Sequence, residues 1–368
     1  MNWKAYKTWA KVTAVALLVA SCSSDNVNKG QRGQRAYQAE YARFGAVYKG
    51  RQYIPHNFVS TPKVEANGSI VNFQDFLKQL NNVRAYAGGI TGRYAGTYGK
   101  VSSWIASGGK VSDLARYNIH ALQMRGEDGF QNVLMTGYYS PVIHARRTPQ
   151  GKYQHPIYAM PSQKRFTRSQ IYDGALEGKG LELAYSDSML DNFLLGVQGS
   201  GYVDFGDGRL NYFAYAGQNG FKYTSVGRLL VEDGEIPKEK MSIQAIREWG
   251  ERNPHRVQGL LERNPSYVFF KNDPTGQVKG SAGVPLVALA SVASDKSLVP
   301  SGSVLLVETP LIDHAGNWTG KHELRLMVAL DVGGAVKGHH FDLYQGIGDE
   351  AGHKAGLMKH YGRVWVLN

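Results

Sequence analysis

The sequence predicts a mainly β protein with some helices, and three observations carry that expectation. Between residues 130 and 240, short apolar runs alternate with Gly, Pro, Asp and Asn turns, a rhythm of strands rather than of helices. The last hundred residues continue in about six strand-like segments, the number that a small closed barrel uses. The composition agrees, because 44 Gly and 22 Tyr among 368 residues favour turns and strands over a helical bundle. The length suggests two or three domains. Hydrophobic residues make up 42% of the chain, enough for packed cores, which excludes a disordered protein.

The first element is a targeting segment over residues 1–21. Lys4, Lys7 and Lys11 precede an apolar run over 12–20, shorter than the roughly 20 residues that span a bilayer. The run ends in Val19-Ala20-Ser21-Cys22, which resembles the lipobox of bacterial lipoproteins. In that chemistry the Cys22 thiol takes a diacylglycerol and its freed amine a third chain, and stable anchoring needs at least two chains. An ordinary secretory signal with an incidental cysteine is the alternative. Ser23, a non-acidic residue, implies through the same resemblance an outer-membrane address on the periplasmic face. Cys22 is the single cysteine, which excludes a disulfide framework and a Cys-based structural zinc site. Residues 22–38 are polar and read as a lipidated tether. Losing residues 1–21 removes three lysines and no acid, so the formal charge falls from +12 to +9. A basic excess of that size predicts an anionic partner.

A helical block follows at 72–124. Asn72 is a candidate N-cap with Asp75 three residues on, and Phe73, Phe76, Leu77, Leu80 and Val83 recur at helical spacing. Further helices are expected at 101–106 and 111–124. Strands are expected at 133–139, 181–184, 201–205 and 210–214. Ser242 opens a helix that Pro254 breaks, with a short continuation over 255–263. The final six strands are placed at 267–271, 284–292, 304–308, 324–332, 340–345 and 363–367.

The densest constellation of chemical groups runs from Ala329 to Gly346. Asp331 and Asp342 flank a glycine-rich turn containing Gly333 and Gly334, and each follows apolar residues. Burial is costly for a carboxylate, and the same burial raises its pKa and makes a usable general acid. The alternative is a turn cap and a solvated acid. His339, His340, His353 and His360 cluster nearby, but an adjacent pair points to opposite faces of a strand and no zinc-protease spacing exists. Zinc is therefore a weak reading. Gln198-Gly199-Ser200-Gly201 follows an apolar run and either brings backbone N–H groups to a ligand or makes a hairpin turn. Thr136, Gly137, Tyr138 and Tyr139 form the end of a strand, with tyrosines that suit sugar stacking or core filling. No Gly-x-Ser-x-Gly elbow is present. The positive charge is scattered, with no arginine-rich helix, which argues against nucleic acid.

These residues also carry a family resemblance. Ala-Leu-Asp-Val-Gly-Gly-Ala-Val-Lys-Gly from Ala329, then Phe-Asp-Leu-Tyr-Gln-Gly from Phe341, resembles the three-aspartate domain of bacterial murein enzymes, with Asp295 matching the third aspartate. With the blocks at 135–141, 185–188, 197–207 and 278–295, the chain after residue 21 is similar to the membrane-bound lytic murein transglycosylase family along nearly its whole length. The resemblance implies a double-psi β-barrel catalytic domain made of residues 39–140 and 276–368. It implies a second, β-barrel-like substrate-binding domain, 141–275, inserted into the first, with a groove between the two.

The implied activity is cleavage of the β-1,4 bond between N-acetylmuramic acid and N-acetylglucosamine, with closure of a 1,6-anhydro ring. Asp342 is the implied catalytic acid. Thr136, Gly137, Tyr138, Tyr139, Gln198, Gly199, Ser200, Gly201 and Asp331 are expected at the glycan, and Asp295, Gly333, Gly334 and Tyr344 in support. The apolar flank of Phe341 and Leu343 is expected to raise the pKa of Asp342. No metal or organic cofactor is implied. The implied partners are peptidoglycan strands, the outer membrane through the lipid anchor, and complexes of cell-wall synthesis or division. A non-catalytic murein-binding lipoprotein is the alternative. Two departures stand out: Val332 lies where the wider three-aspartate family often has Thr, and Met135 precedes Thr136 where Phe is usual.

Overall fold

The computed structural model describes residues 38–66, 68–163 and 165–368. The expected targeting segment, Cys22 and all of the tether but Gln38 lie outside the described residues. No helix among the described residues is long and apolar enough to cross a membrane.

The chain opens with β1 (Phe58–Thr61), α1 (Phe73–Tyr86), α2 (Gly88–Ala106), a 3-10 segment (Val111–Tyr117) and β2 (Ala121–Met124). The apolar spacing of α1 works as expected, with Phe76, Leu80 and Val83 fully buried. Asn72 sits at its N-cap position, but its side chain makes no cap. Its Nδ2 donates to the carbonyls of Leu289 and Leu326, and its Oδ1 accepts from the Leu326 N–H, so it ties the helix to the barrel. Helix α2 is far longer than the expected 101–106. Five glycines lower its intrinsic propensity, and burial of Tyr98, Val101 and Trp104 outweighs them. The helix expected over 111–124 is instead the 3-10 turn followed by β2, because Ala121–Met124 pairs with β1.

After β3 (Val133–Ser140) come β4 (Val142–Arg146), β5 (His155–Tyr158), α3 (Arg168–Tyr172), β6 (Glu182–Ser186), α4 (Met189–Gln198), β7 (Gly201–Asp204), β8 (Leu210–Gln218), α5 (Val226–Glu232), α6 (Ile243–Arg252), α7 (Pro254–Glu262) and β9 (Val268–Asn272). The chain ends with β10 (Ser291–Ala293), β11 (Val304–Ile312), β12 (Trp318–Asp331), β13 (His340–Ile347), α8 (Gly348–Leu357) and β14 (Lys359–Leu367). Helices α3, α4, α5 and α8 were not expected. Helices α4 and α5 sit where the sequence reads as an all-β rhythm: Leu190, Phe193, Leu194, Leu229 and Leu230 pack with α6 and α7, while Leu195 of α4 enters the second sheet's core. Pro254 starts α7 rather than only ending α6, since a proline at the first helical position leaves unmade only a bond the helix would not form.

Strands β14, β11, β12, β10, β13 and β3 follow one another in the first sheet, and β3 also pairs with β14, so six strands close into a barrel. The count matches the expectation, but the membership differs. The segment expected at 267–271 is β9 and belongs to the other sheet, and β3 takes its place. The segment expected at 284–292 is mostly irregular, with a single bridge from Pro285 to Lys279 and only Ser291 and Val292 in β10. The second sheet runs β5-β6-β4-β7-β8-β9, and a bridge between Ala159 and Phe270 curls its edges together. The sheets change over at Pro141, between β3 and β4.

Four apolar layers hold this together. Met135, Leu305, Met327, Phe341 and Leu343 fill the first barrel. Leu306, Leu326, Val328 and Trp365, on its outer face, pack under α1 and α2. Ile143, Ala184, Val203 and Phe213 fill the second sheet's interior. Tyr138, Tyr344, Tyr202 and Tyr212 meet where the two sheets face each other.

Candidate active site

Alternation along a strand decides which residues reach the space between the sheets. In β13, Phe341 and Leu343 turn into the barrel, while Asp342 and Tyr344 turn the other way. The expected effect of Phe341 and Leu343 on Asp342 is therefore corrected: neighbours in sequence occupy the opposite face. Desolvation of Asp342 comes from strands on either side. Parallel β3 places Thr136 opposite Asp342 and Tyr138 opposite Tyr344. On the other edge, Ala293 of β10 pairs with Asp342 on one side and Asp331 on the other, so that short strand spaces the two carboxyls.

Asp342 is 1% exposed. Its Oδ1 lies 2.7 Å from the Thr136 hydroxyl, which stands 2.8 Å from His340 Nε2. Burial pushes the Asp342 pKa up to about 7; the Thr136 hydrogen bond opposes this, and the charge of Asp331 adds to it. The carboxyl is a proton donor near neutral pH.

Asp331 is also buried, and burial raises its pKa against the pull of its hydrogen bonds. Its Oδ1 accepts from the backbone N–H groups of Ser281 (2.8 Å) and Val332 (2.9 Å), and its Oδ2 from the Tyr138 hydroxyl (3.1 Å). Both oxygens are engaged in holding the mouth of the turn that contains Gly333 and Gly334. Asp295 holds the far end of that turn. Its Oδ2 accepts from the Gly338 N–H at 3.0 Å, and its Oδ1 from the N–H and hydroxyl of Ser297.

A groove of about 180 Å³ lies beside this cluster, and its walls include Tyr138, Gln198, Ser200, Tyr212, Lys279 and Asp331. Gln198, Gly199 and Ser200 reach it because α4 ends there, with Gly199 at φ 82° as the left-handed C-cap. The segment is thus a helix end rather than a hairpin. Asp342 does not line the groove; its neighbours Tyr138 and Asp331 do.

Of the residues expected at the glycan, Thr136, Gly137 and Gly201 do not line this groove, whereas Tyr139 does. A Cβ on Gly137 would stand 2.7 Å from Ala355 Cα, so its role is to let α8 pack on β3. A Cβ on Gly201 would stand 2.7 Å from the Pro141 carbonyl, where β7 joins the sheet change. Tyr139 contributes to the groove wall, its ring packs on Ala351 and Ala355, and burial raises its hydroxyl's pKa against the charge of Arg247 on α6. Tyr344 hydrogen bonds Ser140 at 3.0 Å through its hydroxyl. The sequence reading missed Tyr212, Lys271 and Lys279, which come from β8, β9 and the loop after it. No local signal marks them, because only the facing of the sheets brings them to the groove. It also treated His340 only as a metal candidate. Among the described residues no three metal-ligating side chains gather.

Comparison with known proteins completes the picture. A family model described as the MltA specific insert domain matches residues 134–271, and a 3D domain model matches 290–368. The membrane-bound lytic murein transglycosylase A of Escherichia coli (strain K12) is 49% identical over 360 residues, covering 96% of this chain and 93% of the relative. The Vibrio cholerae protein of the same name is 45% identical over 321 residues, 86% of this chain and 87% of its own. Among solved structures, E. coli MltA with bound chitohexaose aligns at a TM-score of 0.84 with 50% identity, covering 89% of this chain and 98% of that one. The lytic transglycosylase LtgG of Burkholderia pseudomallei aligns at 0.59 with 31% identity, over 88% and 98%. Identity at this level over 96% of the chain means that the chain belongs to the membrane-bound lytic murein transglycosylase A family.

Proposed function

We propose that this protein is a lytic transglycosylase that cleaves the β-1,4 bond between N-acetylmuramic acid and N-acetylglucosamine and closes a 1,6-anhydro ring, with Asp342 as its single acid and base. The observation that carries this reading is the Asp342 carboxyl, buried beside the groove with its pKa near 7. Asp342 gives its proton to the glycosidic oxygen as the bond breaks. The C6 hydroxyl of the muramic residue then attacks C1, and the Asp342 carboxylate takes that hydroxyl's proton. The sugar supplies the nucleophile, so the second carboxylate of an ordinary glycosidase has no task. This agrees with Asp331, whose oxygens are committed to Ser281, Val332 and Tyr138. Tyr138, Tyr212, Gln198 and Ser200 would hold the glycan, a role supported by their place on the groove wall and by the chitohexaose bound to the E. coli relative.

Residues 39–140 and 276–368 would form the catalytic domain and 141–275 the substrate-binding domain. The change of sheet at Pro141 and the return after β9 support these bounds. Anchoring through Cys22 on the periplasmic face of the outer membrane rests on the lipobox resemblance and on the name "membrane-bound" of the relatives.

The test is mass spectrometry of purified sacculi digested by the wild type and by Asp342→Asn. Anhydro-muramyl products from the wild type alone are expected. Reducing-end products would make the protein a hydrolase, and intact strands a binding protein.

A further inference from the structure

We infer that His340 is a positioning residue that keeps the Asp342 carboxyl protonated by drawing the single hydroxyl proton of Thr136 away from it. The inference rests on the reading of Asp342 as the acid.

The argument is a count of protons. His340 is 3% exposed, and its two ring nitrogens have fixed partners. Nδ1 lies 3.2 Å from the carbonyl of Ala335, an acceptor only, so Nδ1 carries a hydrogen. Burial holds the imidazole neutral, its pKa lowered to about 4 against the Ala335 bond, with Lys359 adding to the lowering. In a neutral ring with a hydrogen on Nδ1, Nε2 is a bare lone pair. Its partner at 2.8 Å is the Thr136 hydroxyl, which must donate to it. That hydroxyl has no second hydrogen. Its oxygen faces Asp342 Oδ1 at 2.7 Å, a contact in which Thr136 donates to an ionised carboxylate; with the hydroxyl hydrogen given to His340 instead, the hydrogen between them belongs to a protonated Asp342. An ionised Asp342 would set oxygen lone pairs against each other there, unless Thr136 turned its hydrogen over and left His340 Nε2 unpaired.

Thr136 is therefore a one-proton rotor between two acceptors. It favours His340 while Asp342 is acidic and swings to Asp342 once the proton has left for the glycosidic oxygen. It swings back when the C6 hydroxyl returns a proton. The carbonyl that sets the His340 tautomer belongs to the turn that Asp295 fastens through the Gly338 N–H, which links the third aspartate to the acid without contact. The other titratable or charged groups around the trio are Asp331 on β12, Tyr138 on β3, Tyr344 on β13 and Lys359 on β14. None of them lies between His340 and Thr136.

The experiment titrates Asp342 directly, by carbon NMR of protein labelled at aspartate carboxyls, with its signal assigned through Asp342→Asn. In His340→Leu the Thr136 hydroxyl is free to donate to the carboxylate, and the Asp342 midpoint is expected to fall by about one pH unit, a tenfold larger ionisation constant. In Thr136→Val no donor remains, and the midpoint stays at or above the wild-type value. The double variant titrates like Thr136→Val, because His340 acts only through the hydroxyl. Thr136→Ser keeps the rotor and titrates like the wild type. An unchanged midpoint in His340→Leu, a fall in Thr136→Val or a fall in the double variant overturns the inference. If His340→Leu does not fold, the threonine variants still decide it. The readout needs no turnover, so these results stand apart from whether sacculi are cleaved.

Discussion

Thr136 and Asp342, 206 residues apart in the chain, face each other across parallel strands β3 and β13 with side-chain oxygens 2.7 Å apart. This pairing crosses the inserted sheet: β3 comes before it and β13 after it. The barrel closes through β3, so Asp342 and its hydrogen-bond partner sit on the seam that joins the strand before the second sheet to the strands after it.

The first prediction concerns pH and rate. Because the Asp342 pKa is raised to about 7, its acid form is lost as pH climbs through that value. The rate of anhydro-product release is expected to fall about tenfold per pH unit above it. A profile that stays level to pH 9 would contradict the assignment of Asp342 as the acid.

The second concerns stability at the same residue. A carboxyl whose pKa is raised by folding binds its proton more tightly in the folded chain, so stability falls as pH rises from the ordinary carboxyl range through about 7. Asp342→Asn removes the buried charge. It should stabilise the protein on the order of 2–4 kcal/mol above pH 7 and far less at pH 4. Thermal unfolding of both proteins across that range checks it, and a less stable Asp342→Asn at pH 8 would count against it.

The third separates packing from binding at Gly137. With a Cβ only 2.7 Å from Ala355 Cα, Gly137→Val must push α8 off β3. A loss of about 1–3 kcal/mol is expected in urea unfolding. A variant of wild-type stability with weakened glycan binding would instead restore the glycan role that the sequence suggests.

The fourth concerns Glu308, buried on β11. Arg363 Nε and Nη2 each lie 2.6 Å from its carboxylate, with Arg51 at 3.9 Å. Burial pushes the Glu308 pKa up, and the Arg363 hydrogen bonds and charge, with His322 and Arg51, outweigh it and hold it below its ordinary value. This stability is present above the ordinary carboxylate pKa and is lost as pH falls through the lowered one. Glu308→Gln leaves Arg363 partly unpaired in the interior and is expected to cost about 3–5 kcal/mol at pH 7. A much smaller cost in chemical unfolding would show that Arg363 finds water instead.

Much of this protein is legible in its residues. The period of Phe76, Leu80 and Val83 marks a helix, the Pro and Gly breaks mark the strands, and the run from Asp331 to Asp342 marks the candidate site. These signals are local, and local physics suffices to read them. Where the reading fails, a distant partner had the deciding vote. Glycine-rich α2 is a helix because Trp104 and Tyr98 are buried, and 121–124 is a strand because β1 lies beside it.

The sequence by itself determined that Asp331 and Asp342 flank a glycine-rich turn and each follow apolar residues, since that is written in contiguous residues, and the family resemblance it carries singles out Asp342 and implies two β-rich domains. Only the tertiary structure decided what surrounds Asp342 and raises its pKa. Its own neighbours Phe341 and Leu343 face away. Its burial comes from strands at its sides, its hydrogen bond from Thr136, and the count of protons from His340 and Ala335. A pKa is set by everything within a few ångströms, and in a closed barrel most of that arrives from elsewhere in the chain.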